Sequence, residues 1–133
     1  MKRTILALLV TLPLFANTTL FNRYETIRQG FLKTSIKEVQ SSAAAFAADA
    51  RKAKQNDLAT QADAVAKSAN IDKARVAFAK LSESMIKLQA KTKGARPAVY
   101  ACPMVNKEWL QPKGKVGNPY DTAMAMCGSL KSE

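Results

Sequence analysis

The chain contains no histidine and only two cysteines, Cys102 and Cys127. Without imidazole it lacks the usual nitrogen ligand of Zn(II) and Cu(II), and also the commonest general base. The cysteines are too far apart for a Cys-x-x-Cys redox motif. A glycine-rich phosphate loop is absent, as is any cysteine, histidine and acidic set for nucleophilic catalysis. The ten acidic residues are dispersed, and no spacing forces two carboxylates together. These absences point away from an enzyme and toward a binding protein.

No apolar run approaches the roughly 20 residues that span a bilayer. The nearest, Ile5 to Val10 and Leu12 to Phe15, is broken by Thr11 and Pro13 and follows Lys2 and Arg3. A short positive region, a short apolar core and the small Ala16 are the parts of a secretory signal peptide. Residues 1–16 are therefore expected to direct export and to be cleaved, leaving no stable membrane anchor. Residues 17–133 are enough for one domain with its own core.

Acidic residues are scarce, ten against 21 lysines and arginines, for a formal charge of +11. Losing Lys2 and Arg3 with the leader leaves the chain strongly basic. A basic surface can attract anionic lipid, acidic protein or nucleic acid. Here the lysines are scattered, and the one dense run, Arg51-Lys52-Ala53-Lys54, falls at an expected helix end, where the macrodipole favours cations. Interleaved aromatics are missing, so no nucleic-acid partner is expected.

Between about residues 19 and 92 there is no proline and one glycine, Gly30, amid plentiful alanine, lysine, leucine and glutamine. That is helical composition. Leu20, Tyr24, Ile27 and Phe31 recur at helical spacing. Gly30, Thr34 and Ser35 weaken the helix, and Ser35-Ile36-Lys37-Glu38 has the form of a capping box that starts a second one. One uninterrupted helix from 19 to 54 is the alternative. The second helix would bury Val39, Ala43, Phe46, Ala47 and Ala50, with Asn56-Asp57 as the next N-cap. Leu58, Ala62, Val65 and Ala66 mark a third helix over Leu58 to Ala69. Asn70 or Asp72 opens the fourth, where Ile71, Ala74, Phe78, Leu81, Met85 and Leu88 alternate at three and four residues. Met85 belongs to this core stripe. Short connections favour antiparallel neighbours. The fold class expected is all-α: an up-and-down four-helix bundle over about 19–92, an irregular C-terminal arm over about 93–133, and one short terminal helix.

The arm contains Pro97, Pro103, Pro112 and Pro119 and four glycines, yet Val99, Tyr100, Trp109, Leu110, Val116 and Tyr120 give it apolar surface to pack with. Both cysteines lie here, each near methionine: Cys102-Pro103-Met104 and Met124-Ala125-Met126-Cys127-Gly128. Pro103 biases Cys102 toward extended backbone, in which positions two apart share a side. Asn118 as N-cap and Pro119 at the first position predict a short helix ending at Gly128, with Met124 and Cys127 on one face. Cys102, Met104, Met124 and Cys127 then form a candidate site for a soft monovalent metal, Cu(I) or Ag(I). Met126, about 200° around that helix from Met124, is a reserve ligand. Trp109 has two readings, an indole face on a nearby cation or an anchor of the arm, and the anchor is preferred.

The same residues carry a resemblance. Ile71-Asp72, Arg75, Phe78 and Leu81-Ser82, then Val99-Tyr100 before Cys102-Pro103-Met104, Trp109-Leu110, Asn118-Pro119-Tyr120, and Met124 with Cys127-Gly128 resemble the DUF3347 family. Members are bacterial and usually exported, and some are fused to periplasmic adaptor subunits of heavy-metal efflux systems. The resemblance implies a helical periplasmic domain associated with copper or silver handling, and a heavy-metal efflux component as partner. Its four sulfur positions fall on Cys102, Met104, Met124 and Cys127. The chain departs from the family after Tyr120, where Asp121-Thr122 replace an aromatic and a glycine.

Two cysteines in a small exported domain also suggest a disulfide. Closing Cys102 on Cys127 would contribute roughly 3.5 kcal/mol on the chain-entropy model. The methionines favour a soft-metal buffer or carrier, because a bridge does not need them. A disulfide-stapled helical module that binds another protein through its basic surface is the alternative.

Overall fold

Ser35 and Asn70 divide the helical half of the chain by the same device. Each has an extended backbone and offers its side-chain oxygen to an otherwise unpaired amide: Glu38 N–H donates to Ser35 Oγ at 3.2 Å, and Lys73 N–H to Asn70 Oδ1 at 2.9 Å. In the computed structural model, which describes residues 12–133, the helices are α1 (Leu12–Leu32), α2 (Ile36–Lys52), α3 (Asn56–Ala66) and α4 (Ile71–Lys91). Most of the expected leader, residues 1–11, lies outside the described residues. Helix α1 continues through Ala16, and Asn17 Nδ2 donates to Thr92 Oγ1 at 3.2 Å.

The break between α1 and α2 is at Thr34, which takes a positive φ of 54°, while Ser35 N–H closes back on the Gly30 carbonyl at 3.0 Å. Gly30 stays within the helix and has a packing reason to be glycine. A Cβ there would sit 3.0 Å from Val39 Cγ2, so its absence lets α2 cross close to α1. The next turn differs from the expected Asn56-Asp57 cap. Lys54 reverses the chain at φ 59°, and Gln55 precedes α3 without any side-chain capping bond.

The apolar stripes meet in one core. Leu20, Tyr24, Ile27 and Phe31 of α1, Val39, Ala43, Phe46, Ala47 and Ala50 of α2, Leu58, Ala62 and Val65 of α3, and Ala74, Phe78, Leu81 and Met85 of α4 are all buried. Phe78 is central, its ring 4.9 Å from Tyr24 and 4.8 Å from Phe31. Helical periodicity read these faces correctly because each helix buries one stripe against its neighbours.

The all-α expectation is overturned by the arm. Residues 98–132 hold a three-stranded antiparallel sheet in the order β2-β1-β3, with β1 (Ala98–Cys102), β2 (Lys107–Gln111) and β3 (Ser129–Ser132). The fold is mixed: four helices and one small sheet. The prolines frame strands instead of abolishing them, since Pro97 precedes β1, Pro103 follows it and Pro112 follows β2. Proline is excluded from ladder interiors but suits their ends. The β1–β2 connection is a four-residue turn whose last residue, Asn106, takes φ 51°, a left-handed conformation that asparagine tolerates better than most residues. The expected terminal helix shrinks to one 3-10 turn, Thr122–Met124. Asp121, not Asn118, caps it, accepting from Ala123 N–H at 2.9 Å.

The sheet docks on the helices through β2 and the inward face of β1. Val99 and Leu110 enter the helical core. Beside them runs a buried chain of hydroxyls. Leu110 N–H donates to Tyr24 Oη at 3.3 Å, Tyr24 Oη is 2.7 Å from Ser82 Oγ, and the Tyr120 hydroxyl lies 2.8 Å from Ser82 Oγ and donates to the Glu108 carbonyl at 3.2 Å. An edge amide of β2 is thus satisfied by a side chain of α1. Burial pushes both tyrosine hydroxyls upward; the Ser82 bond partly offsets this for Tyr24, and the nearby Tyr24 adds to it for Tyr120.

Replacing Tyr24 by Phe should therefore cost about 1–3 kcal/mol, since it leaves the Leu110 amide unpaired in the core. Urea denaturation measures this. For the intact protein, both raised tyrosines make stability highest below the unfolded tyrosine pKa, about 10, and make it fall as pH rises further, because the unfolded chain then releases protons that the folded chain retains. Denaturation midpoints at pH 9 and pH 11 should show the drop, and Tyr120→Phe should make it shallower.

Candidate functional site

Alternation along β1 and β2 gives the sheet two apolar faces. While Val99 and Leu110 face the helices, Ala98, Tyr100, Cys102 and Trp109 form a second buried cluster on the opposite face. That face would be wet without a cover. The segment 112–128 supplies one, laying Val116, Tyr120 and Cys127 over it, and Val105 from the hairpin turn adds to the rim.

Trp109 is fully buried, ring to ring 6.4 Å from Tyr100 and 6.2 Å from Tyr120. Its indole N–H donates to Gln111 Oε1 at 3.0 Å, an oxygen that also accepts from Gly117 N–H at 3.1 Å. Gln111 Nε2 in turn donates to the Lys115 carbonyl at 2.9 Å and the Pro112 carbonyl at 3.2 Å. One buried glutamine thereby folds the turn after β2 back onto the tryptophan. This is the geometry of the anchor reading for Trp109.

Two arginines of the helices hold the next stretch. Arg28, nearly buried, donates through Nη1 to the Gly117 carbonyl at 2.7 Å and is gripped by both oxygens of Glu25, at 2.6 and 2.7 Å. Arg75 Nε donates to the Pro119 carbonyl at 3.2 Å. Between them Asn118 is fully buried. Its Oδ1 accepts from Tyr120 N–H at 2.9 Å, its Nδ2 donates to the Met124 carbonyl at 3.3 Å, and its own N–H donates to the Ala125 carbonyl at 2.8 Å. Asn118 is a loop-closing residue, not a helix cap. Tyr120 then reaches from the loop to the helical core, its ring 5.8 Å from Phe78.

The cover ends at a disulfide. Cys102 and Cys127, 25 positions apart, are bonded, with Cα atoms 5.4 Å apart. Gly128 follows, and its missing side chain is a condition of the closure: a Cβ would lie 2.8 Å from Trp109 Cη2. The bond ties the end of β1 to the start of β3 across the cluster around Trp109.

The four sulfur positions are brought to one end of the sheet by different means than expected. Met104 is not in extended backbone after Cys102; it lies in the β1–β2 turn and is 73% exposed. Met124 ends the 3-10 turn, half-buried, and its carbonyl accepts from Cys127 N–H at 2.9 Å, so the two remain one turn apart. Met126 is 62% exposed. On the helix side, a groove of about 560 Å³ separates α4 from the hairpin, with Glu83 and Lys87 on one wall and Pro103 and Lys107 on the other, and Cys102 among its lining. No cluster of three or more histidine, cysteine, aspartate or glutamate side chains occurs among the described residues.

Sequence reading missed Gln111 and Arg28, and it named Ser82 only within a family motif, without its role. Arg28 and Ser82 bond to groups remote in the chain, the Gly117 carbonyl and the hydroxyls of Tyr24 and Tyr120, while Gln111 closes a local turn that no spacing rule exposes. Asn118-Pro119-Tyr120 was visible as a motif but pointed to the wrong local structure.

A family model described as a protein of unknown function, DUF3347, matches residues 21–96, more than half of the chain. The chain belongs to the DUF3347 family. The matched residues span α2, α3, α4 and most of α1, and the Cys-Pro-Met and Met-x-x-Cys-Gly segments follow them in the DUF3347 chain. No curated protein matches, and no solved structure does. Among the described residues no helix is long and apolar enough to cross a membrane.

Replacing both cysteines by alanine should lower stability by about 3.5 kcal/mol on the chain-entropy model. It should also loosen residues 112–128 ahead of the helices, which urea titration and amide exchange of Val116 and Tyr120 would separate.

Proposed function

We propose that this DUF3347 domain is a periplasmic binding protein for Cu(I) or Ag(I), a buffer or carrier without catalytic turnover, whose ligand-competent form is the reduced Cys102 and Cys127 pair assisted by Met104 and Met124. One observation carries the reading. The fold gathers two cysteines distant in sequence at an edge where one methionine is exposed in the adjacent turn and another lies a turn before the second cysteine. Two thiolates with thioether neighbours, and no imidazole, suit a soft monovalent ion.

The disulfide sets a condition on this function. A bonded pair offers no thiolate, so a dithiol reductant must first deliver two electrons and two protons and itself become a disulfide. Binding the metal then displaces the two thiol protons. Export and cleavage of residues 1–16 belong to the same proposal, as does a heavy-metal efflux component as the receiving partner; both draw on the leader-like sequence and the family resemblance.

The disulfide also favours a second reading, a stapled module that docks on another protein and never binds metal. Here the bridge is permanent, and Met104, Met126 and Leu130, all exposed around it, would be contact residues.

Anaerobic Cu(I) titration against a chromogenic chelator distinguishes the two. The reduced protein is expected to take up one ion per chain and the oxidised protein none. Met104→Leu with Met124→Leu should weaken uptake by about tenfold or more while leaving the far-ultraviolet spectrum intact. Unchanged affinity in that variant removes the methionines from the site, and no uptake by folded, fully reduced protein leaves the stapled module.

A further inference from the structure

The two halves of the disulfide sit in unlike surroundings. Cys102 is 1% exposed, is the last residue of β1, pairs in the ladder with Lys107 and packs against Trp109. Cys127 is only partly buried. It lies outside any strand, after the exposed Met126 and shortly before the exposed Ser129. Thiol–disulfide exchange proceeds by attack of a thiolate on one chosen sulfur, and its rate depends on access to that sulfur and on the acidity of the thiol that leaves.

We propose that Cys127 is the sulfur at which an external thiolate opens the bridge, and that Cys102 is the leaving group. The inference rests on the reading above, in which the reduced pair is the working form, and supplies the chemical step that reading requires. Access favours Cys127. Attack at Cys127 leaves the electron pair on Cys102, whose ladder pair is the exposed cation Lys107.

The step balances. The incoming thiolate forms a new sulfur–sulfur bond with Cys127 as the Cys102–Cys127 bond breaks, and the electron pair leaves on Cys102 as thiolate. With a dithiol reductant, its second thiol, as thiolate, then attacks the reductant's own sulfur in the mixed disulfide and expels Cys127 thiolate. Two electrons have passed to the pair, two protons are taken from solvent, and the reductant ends as its disulfide. Met104, Met126 and the 42% exposed Leu130, all within three residues of a cysteine, are exposed beside the bridge.

Glutathione serves as the probe. The oxidised full chain is incubated with it, quenched in acid at early times, alkylated and digested with trypsin; Lys107, Lys113 and Lys115 lie between the cysteines, so each reports on a separate peptide. The glutathione adduct is expected on Cys127 in roughly tenfold excess over Cys102, with the alkylating group on Cys102, and the excess should collapse toward parity in urea. Equal adducts in the native protein, an excess on Cys102 through the groove beside α4, or no adduct on native protein while unfolded protein reacts would each overturn the proposal. The assay contains no metal, so it stands or falls separately from Cu(I) uptake.

Discussion

A three-stranded sheet with two apolar faces needs two covers, and the Cys102–Cys127 bond fastens the second. The helices provide the first for Val99 and Leu110. The opposite face, with Tyr100 and Trp109, is left to a segment that has almost no regular structure and little intrinsic reason to stay in place. Ordering such a segment costs on the order of 1–2 kcal/mol per residue in backbone entropy alone. Burial of Val116 and Tyr120, the hydrogen bonds of Gln111 and Asn118, and the covalent tie at Cys127 together offset that cost.

The sheet is joined to the helices by polar groups as much as by apolar ones. The chain from Leu110 N–H through Tyr24, Ser82 and Tyr120 to the Glu108 carbonyl crosses from α1 and α4 to β2 and the covering segment. Arg28 and Arg75 repeat the arrangement on backbone carbonyls of residues 117 and 119. Hydrophobic contact alone permits sliding of a small sheet over a helical surface. Directional bonds to buried groups do not, because any other register leaves donors unpaired. These contacts fix the position of the sulfur edge relative to α4.

Stability and the proposed chemistry compete for the same two cysteines. A bridge worth roughly 3.5 kcal/mol is a large share of the 5–15 kcal/mol typical of a small domain. Reduction gives up that share and frees the thiolates, and an ion held between them would restore a link across the cluster around Trp109. On that proposal, stability of the covering segment is coupled to the redox and metal state of its end. The helices share a core that Val99 and Leu110 complete, and they are the part that the DUF3347 match spans.

By itself the sequence determined the helical half and its inward stripes, and it offered Ser35, and Asn70 or Asp72, as caps. Those features are local: side chains three and four apart share a face, and a cap bonds an amide three residues on. Sequence also marked both cysteines and left their pairing open. Only tertiary structure decided that the arm is a sheet. Val99-Tyr100 and Trp109-Leu110 become strands because each can bury one neighbour against helices and the other beneath residues 112–128, an environment no window of sequence contains. Read locally, Asn118-Pro119 starts a helix; in the fold Asn118 is committed to closing a buried loop, and Asp121 caps a single turn instead. The same holds for the sulfurs, since proximity of Cys102 to Cys127 depends on β3 pairing with β1, a contact set by the chain's return and not by spacing.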